Sequence, residues 1–302
     1  MYATDLLGLQ KIIQKTFLKL KEELIMKKEK AIRINLPDGA EYRRVEVTDV
    51  SQRDSIVLPK PTPLIGGTEV YQKDNGTGYW YCRIKDGRDE FMHLYFGDLT
   101  QDDILYNENG KERKFVTEMQ KKFRVYLMNA LENMPEEGFR WIPVYEPSKN
   151  DGDNLKFDSG ENVFIGLTSY KWEEALQSYS LENGSRMSSI ITYFLLLLRL
   201  LKDGFATIEQ LADDSKEIGH YRDSENAKYE FEKTGERQLG GLYGLAGNTY
   251  KIVKNLKSCS GFSILGGDYR SYGLNCSLAS VVPDFNPSNT KFYGIGLLEL
   301  TK

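Results

Sequence analysis

Leu6, Leu9, Ile13, Phe17, Leu20 and Leu24 recur at spacings of three and four near the start of the chain. That period predicts an amphipathic helix within residues 1–30. A heptad frame would put Thr16 and Glu23 at core positions, so the stripe does not read as a long coiled coil. Its own domain and sister chains are both open as packing partners, the second giving a homo-oligomer. From Ala31 to Ser51 the pattern changes to alternation, with Ile32, Ile34 and Leu36, then Tyr42, Val45 and Val47, around the turn signal Pro37-Asp38-Gly39. A Pro-rich connector (Pro59, Pro61, Pro63) leads to strands predicted at Glu69 to Gln72 and Tyr79 to Ile84, joined through Asp74-Asn75-Gly76. A helix is predicted from Arg113 to Asn133, ahead of Pro135. The long apolar run Ile190 to Leu201, interrupted by Thr192, Tyr193 and Arg199, is too short to span a bilayer and reads as a buried helix. These patterns divide the chain into a helix at 1–30, a small α+β module at 31–137 and a second domain at 138–302.

Composition narrows the function classes. The 302 residues carry a formal net charge of −4, which supplies no basic footprint for nucleic acid. The start of the chain lacks the continuous apolar core of a secretory signal, so the expected location is the cytoplasm or an assembled particle released by lysis. Three cysteines, Cys82, Cys259 and Cys276, are too few for a disulfide scaffold, and a Cys259–Cys276 bridge stays open. The histidines are His93 and His220, with no Cys/His cluster at zinc spacing. His220 lies in the polar stretch Lys216 to Asn226 and reads as a surface residue rather than a general base. Asp151, Asp153, Asp158 and Glu161 do not follow EF-hand spacing and read as a solvated loop. No Gly-x-Ser-x-Gly elbow, P-loop or His-Glu-x-x-His is present. The expectation is a protein without cofactor or metal.

Four segments of the second half occur in order: Ser169-Tyr170-Lys171-Trp172-Glu173-Glu174-Ala175-Leu176; Asn183-Gly184-Ser185-Arg186-Met187-Ser188-Ser189; Gly241-Leu242-Tyr243-Gly244-Leu245-Ala246-Gly247-Asn248-Thr249-Tyr250; and Leu265-Gly266-Gly267-Asp268-Tyr269, followed by Ile295-Gly296-Leu297. The first predicts a helix start with Trp172 and Leu176 on one face. Gly184 fits a left-handed helix end, and Gly241, Gly244 and Gly247 mark turns that need positive φ or close approach. Asn248 can fix its turn through nearby backbone groups. Gly266-Gly267 suggests a strand end or bulge.

Together these segments resemble the formylglycine-generating (sulfatase-modifying) enzyme family and its C-type-lectin-like relatives. Those chains run from a Trp-Glu-x-Ala helix through Gly-Leu-Tyr-Asp-Met-x-Gly-Asn-Val-Trp-Glu to Arg-Gly-Gly-Ser-Trp and a closing Gly-Phe-Arg strand. The resemblance covers Phe139 to Leu300 and implies an α+β chain with a C-type-lectin-like C-terminal domain. Active members carry a cysteine pair that holds copper, which needs two soft thiolates. Laid on this chain, the pair falls on Ser271 and Cys276, and the Arg and Phe-Arg positions fall on Leu265 and Leu297-Leu298. The resemblance therefore implies a non-enzymatic protein.

The segment Gly266 to Gly296 is rich in Tyr, Ser, Asn and Asp, a mix shared with antibody-like binding surfaces and with the variable proteins of diversity-generating retroelements. The residues expected at a ligand face are Asp268, Tyr269, Ser271, Tyr272, Asn275, Asp284, Asn286, Asn289 and Tyr293. The implied partner is a protein or glycan receptor on a cell surface. An ordinary polar loop, and a phage structural component that uses the fold as a scaffold, stay open beside it.

Overall fold

The computed structural model describes residues 41–42, 57–58, 70–73, 77–84, 88–149, 155–180, 184–225, 230–257, 260–273, 276–283 and 294–301. The stripe predicted within residues 1–30 lies outside them. The chain forms two compact units, residues 1–62 with 69–80, and residues 63–68 with 81–302. In the first, β1 (Glu41–Tyr42) pairs antiparallel with β2 (Val57–Leu58), and β3 covers Val70–Gln72.

The second unit mixes helices and sheets, as an α+β chain does. It runs β4 (Trp80–Ile84), β5 (Asp89–Tyr95), α1 (Gln101–Leu105), α2 (Glu118–Glu132), β6 (Phe139–Pro143), β7 (Ser148–Lys149), β8 (Leu155–Lys156), α3 (Ser169–Gln177), β9 (Ser185–Met187), α4 (Ile190–Lys202) and α5 (Ile208–Ala212). It continues with β10 (Gln238–Leu239), β11 (Leu242–Tyr243), β12 (Tyr250–Lys254), β13 (Phe262–Leu265), β14 (Val281–Pro283), β15 (Gly294–Gly296) and β16 (Leu298–Leu300). Residues 89–132, placed by the sequence in a separate module ending at 137, share a sheet and a core with the residues that follow. The reason is register: β5 pairs with β6 along its length, His93 opposite Trp141, and a division at 137 would cut that ladder.

Two sheets organise the unit. One has the order β4-β5-β6-β16-β9, and the other β14-β13-β12-β15. The end of the chain joins them. β15 runs parallel to β12, and after Leu297 the strand β16 pairs with β6 and β9 in the first sheet. This crossing inserts the closing strand between β6 and β9, with Leu300 opposite Trp141.

The helices follow their sequence signals. Thr117, Thr168, Ser189 and Thr207 cap α2, α3, α4 and α5 by accepting a backbone N–H with the side-chain oxygen. α4 is buried over every residue from Thr192 to Leu201, as expected of a helix that is apolar all round. Its buried cation, Arg199, donates to the Tyr95 carbonyl and pairs with Asp98, and Lys202 at its end pairs with the same carboxylate. No described helix is long and apolar enough to cross a membrane. A cavity of about 50 Å³ lies between β6, β11 and α4, walled by Ile142, Phe157, Leu196, Leu242 and Leu245. The Glu146 and Lys251 side chains line it as well, so its wall is not wholly apolar.

Glycine in the closing strand permits close helix packing. A Cβ on Gly296 would stand 2.8 Å from Leu176 Cδ1 and 3.1 Å from Trp172 Cβ, while Trp172 Nε1 donates to the Gly294 carbonyl at 3.2 Å. α3 therefore rests directly on the β15 backbone. Gly296→Ala should overpack this contact and cost about 1–3 kcal/mol. Urea unfolding of the full chain measures it, and an unchanged midpoint would show that the helix can yield.

Candidate ligand-binding face

The loop that follows β13 carries the chemistry the sequence singled out. Leu265 ends the strand fully buried. Gly266 then turns at φ +65°, a conformation open to glycine. A Cβ on Gly267 would meet the Cβ atoms of Cys276 at 2.6 Å and Ser271 at 2.9 Å. Ser271 and Cys276 therefore lie together against this glycine, as hydroxyl and thiol. Burial raises the Cys276 thiol, with Asp268 adding to the shift and the Ser271 hydroxyl opposing it, so the neutral form is favoured.

The predicted ligand residues separate by exposure. Asp268 is 1% exposed. Its carboxylate accepts from the Arg270 backbone N–H and side chain and from the Ser271 hydroxyl, so it shapes the loop and cannot meet a ligand. Ser271 also faces inward, with its Oγ 3.0 Å from the Tyr250 hydroxyl. Tyr272 is 45% exposed, and the Arg222 guanidinium lies over its ring at 5.3 Å. Tyr269 is half-buried, with the Arg270 guanidinium 5.7 Å from its ring centroid and the Phe231 centroid at 4.6 Å. Of the nine expected residues, Asn275, Asp284, Asn286, Asn289 and Tyr293 lie outside the described residues. The outward members are thus two tyrosines, each with a stacked arginine.

Beneath the face sits a polar knot that the sequence did not signal. Glu146 is buried and accepts from Asn248 Nδ2 at 2.6 Å, Thr249 Oγ1 at 2.8 Å and Lys251 Nζ at 3.2 Å. Lys251 is itself 2% exposed and also donates to the Gly247 and Thr249 carbonyls. Burial pushes the Glu146 carboxyl up and the Lys251 ammonium down, and the charge of each opposes the other's shift. Gly244 passes over the carboxylate so closely that a Cβ would lie 2.2 Å from Glu146 Cδ.

Asn248 carries the knot to the face. It is the non-glycine residue of positive φ (48°) among those described, a region where Asn is enriched. Its Oδ1 accepts from the Glu232 N–H, its own N–H donates to the His220 carbonyl, and its carbonyl accepts from the Tyr269 N–H. The turn-fixing role read from Gly247-Asn248 holds, and it extends to three further loops. His220, read as a surface residue, is 1% exposed. Ser215, Tyr221 and Ser224 are buried with it, and its ring stacks at 18° on Tyr269. Among the described residues no group of three or more His, Cys, Asp or Glu is placed to hold a metal.

The chain matches no protein-family model and no curated protein sequence. Among solved structures it is similar to Treponema denticola variable protein 1, at 12% identity over 76% of this chain and 90% of that one, with a TM-score of 0.26. A likeness of that size assigns neither fold family nor function.

Lys251→Met would leave the buried Glu146 carboxylate without its cation. The expected loss is about 3–5 kcal/mol of stability, because an uncompensated buried charge costs far more than the pair contributes. Urea unfolding reads this directly. The double variant Glu146→Gln/Lys251→Met should recover more than half of the loss, and failure to recover any would mean that Lys251 acts through packing alone.

Proposed function

We propose that this chain is a non-enzymatic binding protein, that its C-terminal half has a C-type-lectin-like fold, and that it recognises a protein or glycan receptor through the Tyr269–Tyr272 face. The observation that carries the reading is the pair of Tyr-Arg stacks on a loop whose polar atoms are already satisfied inward. Large aromatics and arginine supply much of the energy at binding hot spots. A face fixed before contact loses little side-chain freedom on binding. The order of the four sequence segments supports the fold, and the neutral Cys276 thiol beside Ser271 supports the non-enzymatic reading. The family's implied kinship with retroelement-diversified proteins belongs to the same proposal.

Two measurements test it. The fluorescently labelled chain, applied to glycan and peptide arrays, should give saturable binding that Tyr272→Ala weakens by about 2 kcal/mol, roughly 30-fold, with thermal stability unchanged. Binding indifferent to Tyr272→Ala and to Tyr269→Ala would place recognition elsewhere. In a competition titration with a chromophoric Cu(I) chelator, the reduced chain should show no tight copper site, since a lone neutral thiol is a poor soft-metal ligand. Stoichiometric capture of Cu(I) would overturn the non-enzymatic reading.

A further inference from the structure

We propose that His220 is the positioning residue of this face: a doubly protonated ring that grips both neighbours of Phe231 and so sets the aromatic edge against Tyr269. The inference rests on the reading of Tyr269 as part of a ligand surface, but its chemistry is independent of any ligand.

The argument begins with donors and acceptors. His220 Nε2 lies 2.8 Å from the Glu230 carbonyl oxygen, which can only accept. His220 Nδ1 lies 3.1 Å from Glu232 Oε1, an ion-pair distance with the N–H pointing off the line of a hydrogen bond. A neutral imidazole has one N–H and would turn a lone pair toward one of these oxygens. The imidazolium presents an N–H to the Glu230 carbonyl and its positive charge to the Glu232 carboxylate. Burial pulls the ring toward the neutral form, but the Glu232 carboxylate and the Glu230 carbonyl outweigh it and raise its proton affinity above the ordinary histidine value.

Glu230 and Glu232 flank Phe231, so the ring holds that residue from both sides. Phe231 in turn packs edge-on with Tyr269, the ring centroids 4.6 Å apart and the planes at 65°, while His220 itself stacks on Tyr269. The charged groups around the ring are few. Glu232 faces it from the 230–232 segment, and Arg237 lies behind Glu232 with its Nε 2.9 Å from the same carboxylate oxygen. Beyond Tyr269 stands the Arg270–Asp268 pair. From the 246–248 turn the contacts are backbone: His220 N–H donates to the Ala246 carbonyl, and its own carbonyl accepts from Asn248.

The direction with pH follows from the raised value. The clamp is complete below the ordinary histidine value and is lost as pH rises through the folded-state midpoint. Losing the proton turns the Nδ1 lone pair toward the Glu232 carboxylate, and the 230–232 segment loses its ion pair with the ring while its contacts with Asn248 and Arg237 remain. Tyr269 then loses the fixed edge of Phe231.

NMR titration of the full chain tests this, following the His220 ring nitrogens and the Tyr269 and Phe231 ring signals from about pH 5 to 9. His220 should titrate above the free value of about 6.5, with both aromatic rings moving at the same midpoint. His93, whose value burial pushes down to about 3, should stay neutral throughout and serves as the internal reference. Glu232→Gln should lower the His220 midpoint, and His220→Gln should abolish the pH response of Tyr269. A His220 midpoint at or below the free value, Tyr269 and Phe231 signals that ignore it, or a midpoint unmoved by Glu232→Gln would each overturn the proposal. None of these readings needs a ligand, so they can fail while array binding through Tyr272 succeeds, and the reverse holds equally.

Discussion

The buried carboxylate of Glu146 is the constraint on which the rest of this face depends. A charge taken out of water is costly unless it is paired and its lone pairs are filled. Here the partners are Asn248, Thr249 and Lys251, consecutive or nearly so along the start of β12. Satisfying Glu146 thus forces the backbone just before β12 into one conformation. That conformation includes a left-handed Asn248, which a β-branched residue would adopt only with strain. Asn248 then has its own backbone and side-chain groups aimed at His220, Glu232 and Tyr269. One desolvated charge fixes three loops, each of which contributes to the outer surface.

Close backbone approach does the complementary work in the core. Gly244 lets the turn lie on Glu146, and Gly296 lets α3 lie on β15. In both places the side chain that is missing is what allows two elements to meet. The chain can therefore cross at Leu297 from the mixed sheet to the sheet that contains β6, and tie its last strand between β6 and β9. The loops of the face hang from this closed frame, so their geometry is set by rigid elements rather than by their own polar sequence.

Much of this frame was legible in the residues. The helix around Trp172 and Leu176, the buried helix from Ile190, and the turns at Gly244 and Gly247 follow from periodicity and from the φ freedom of glycine. Gly184, read as the left-handed end of the first helix, has positive φ but lies ahead of β9, because that helix already ends at Gln177 with Ser178 as its cap. The extent of the unit was not legible, because strand pairing between β5 and β6 is a non-local fact that no local pattern near residue 137 records. His220 was misread for a related reason. The stretch around it is polar in composition, yet Ser215, Tyr221 and Ser224 are buried with it, and polar residues turned inward leave no periodic trace. Glu146 gave no signal either: a lone Glu between Tyr145 and Pro147 looks like any loop carboxylate until its donors arrive from Asn248 and beyond. Among the ligand residues, composition identified the loop but could not separate Asp268 and Ser271, which close it from within, from Tyr269 and Tyr272, which face out.

That separation explains how one short loop can be both rigid and adhesive. Its small polar side chains spend their hydrogen-bonding capacity on each other: Asp268 on Arg270 and Ser271, and Ser271 on Tyr250. A loop closed this way has little freedom left to lose. Its aromatic residues are then left with apolar faces half in water and with arginines laid across them, an arrangement whose apolar area is removed from water only when a partner covers it. Ser271 belongs to the same division of labour: its hydroxyl donates to Asp268 and meets Tyr250, and so stabilises the turn from within.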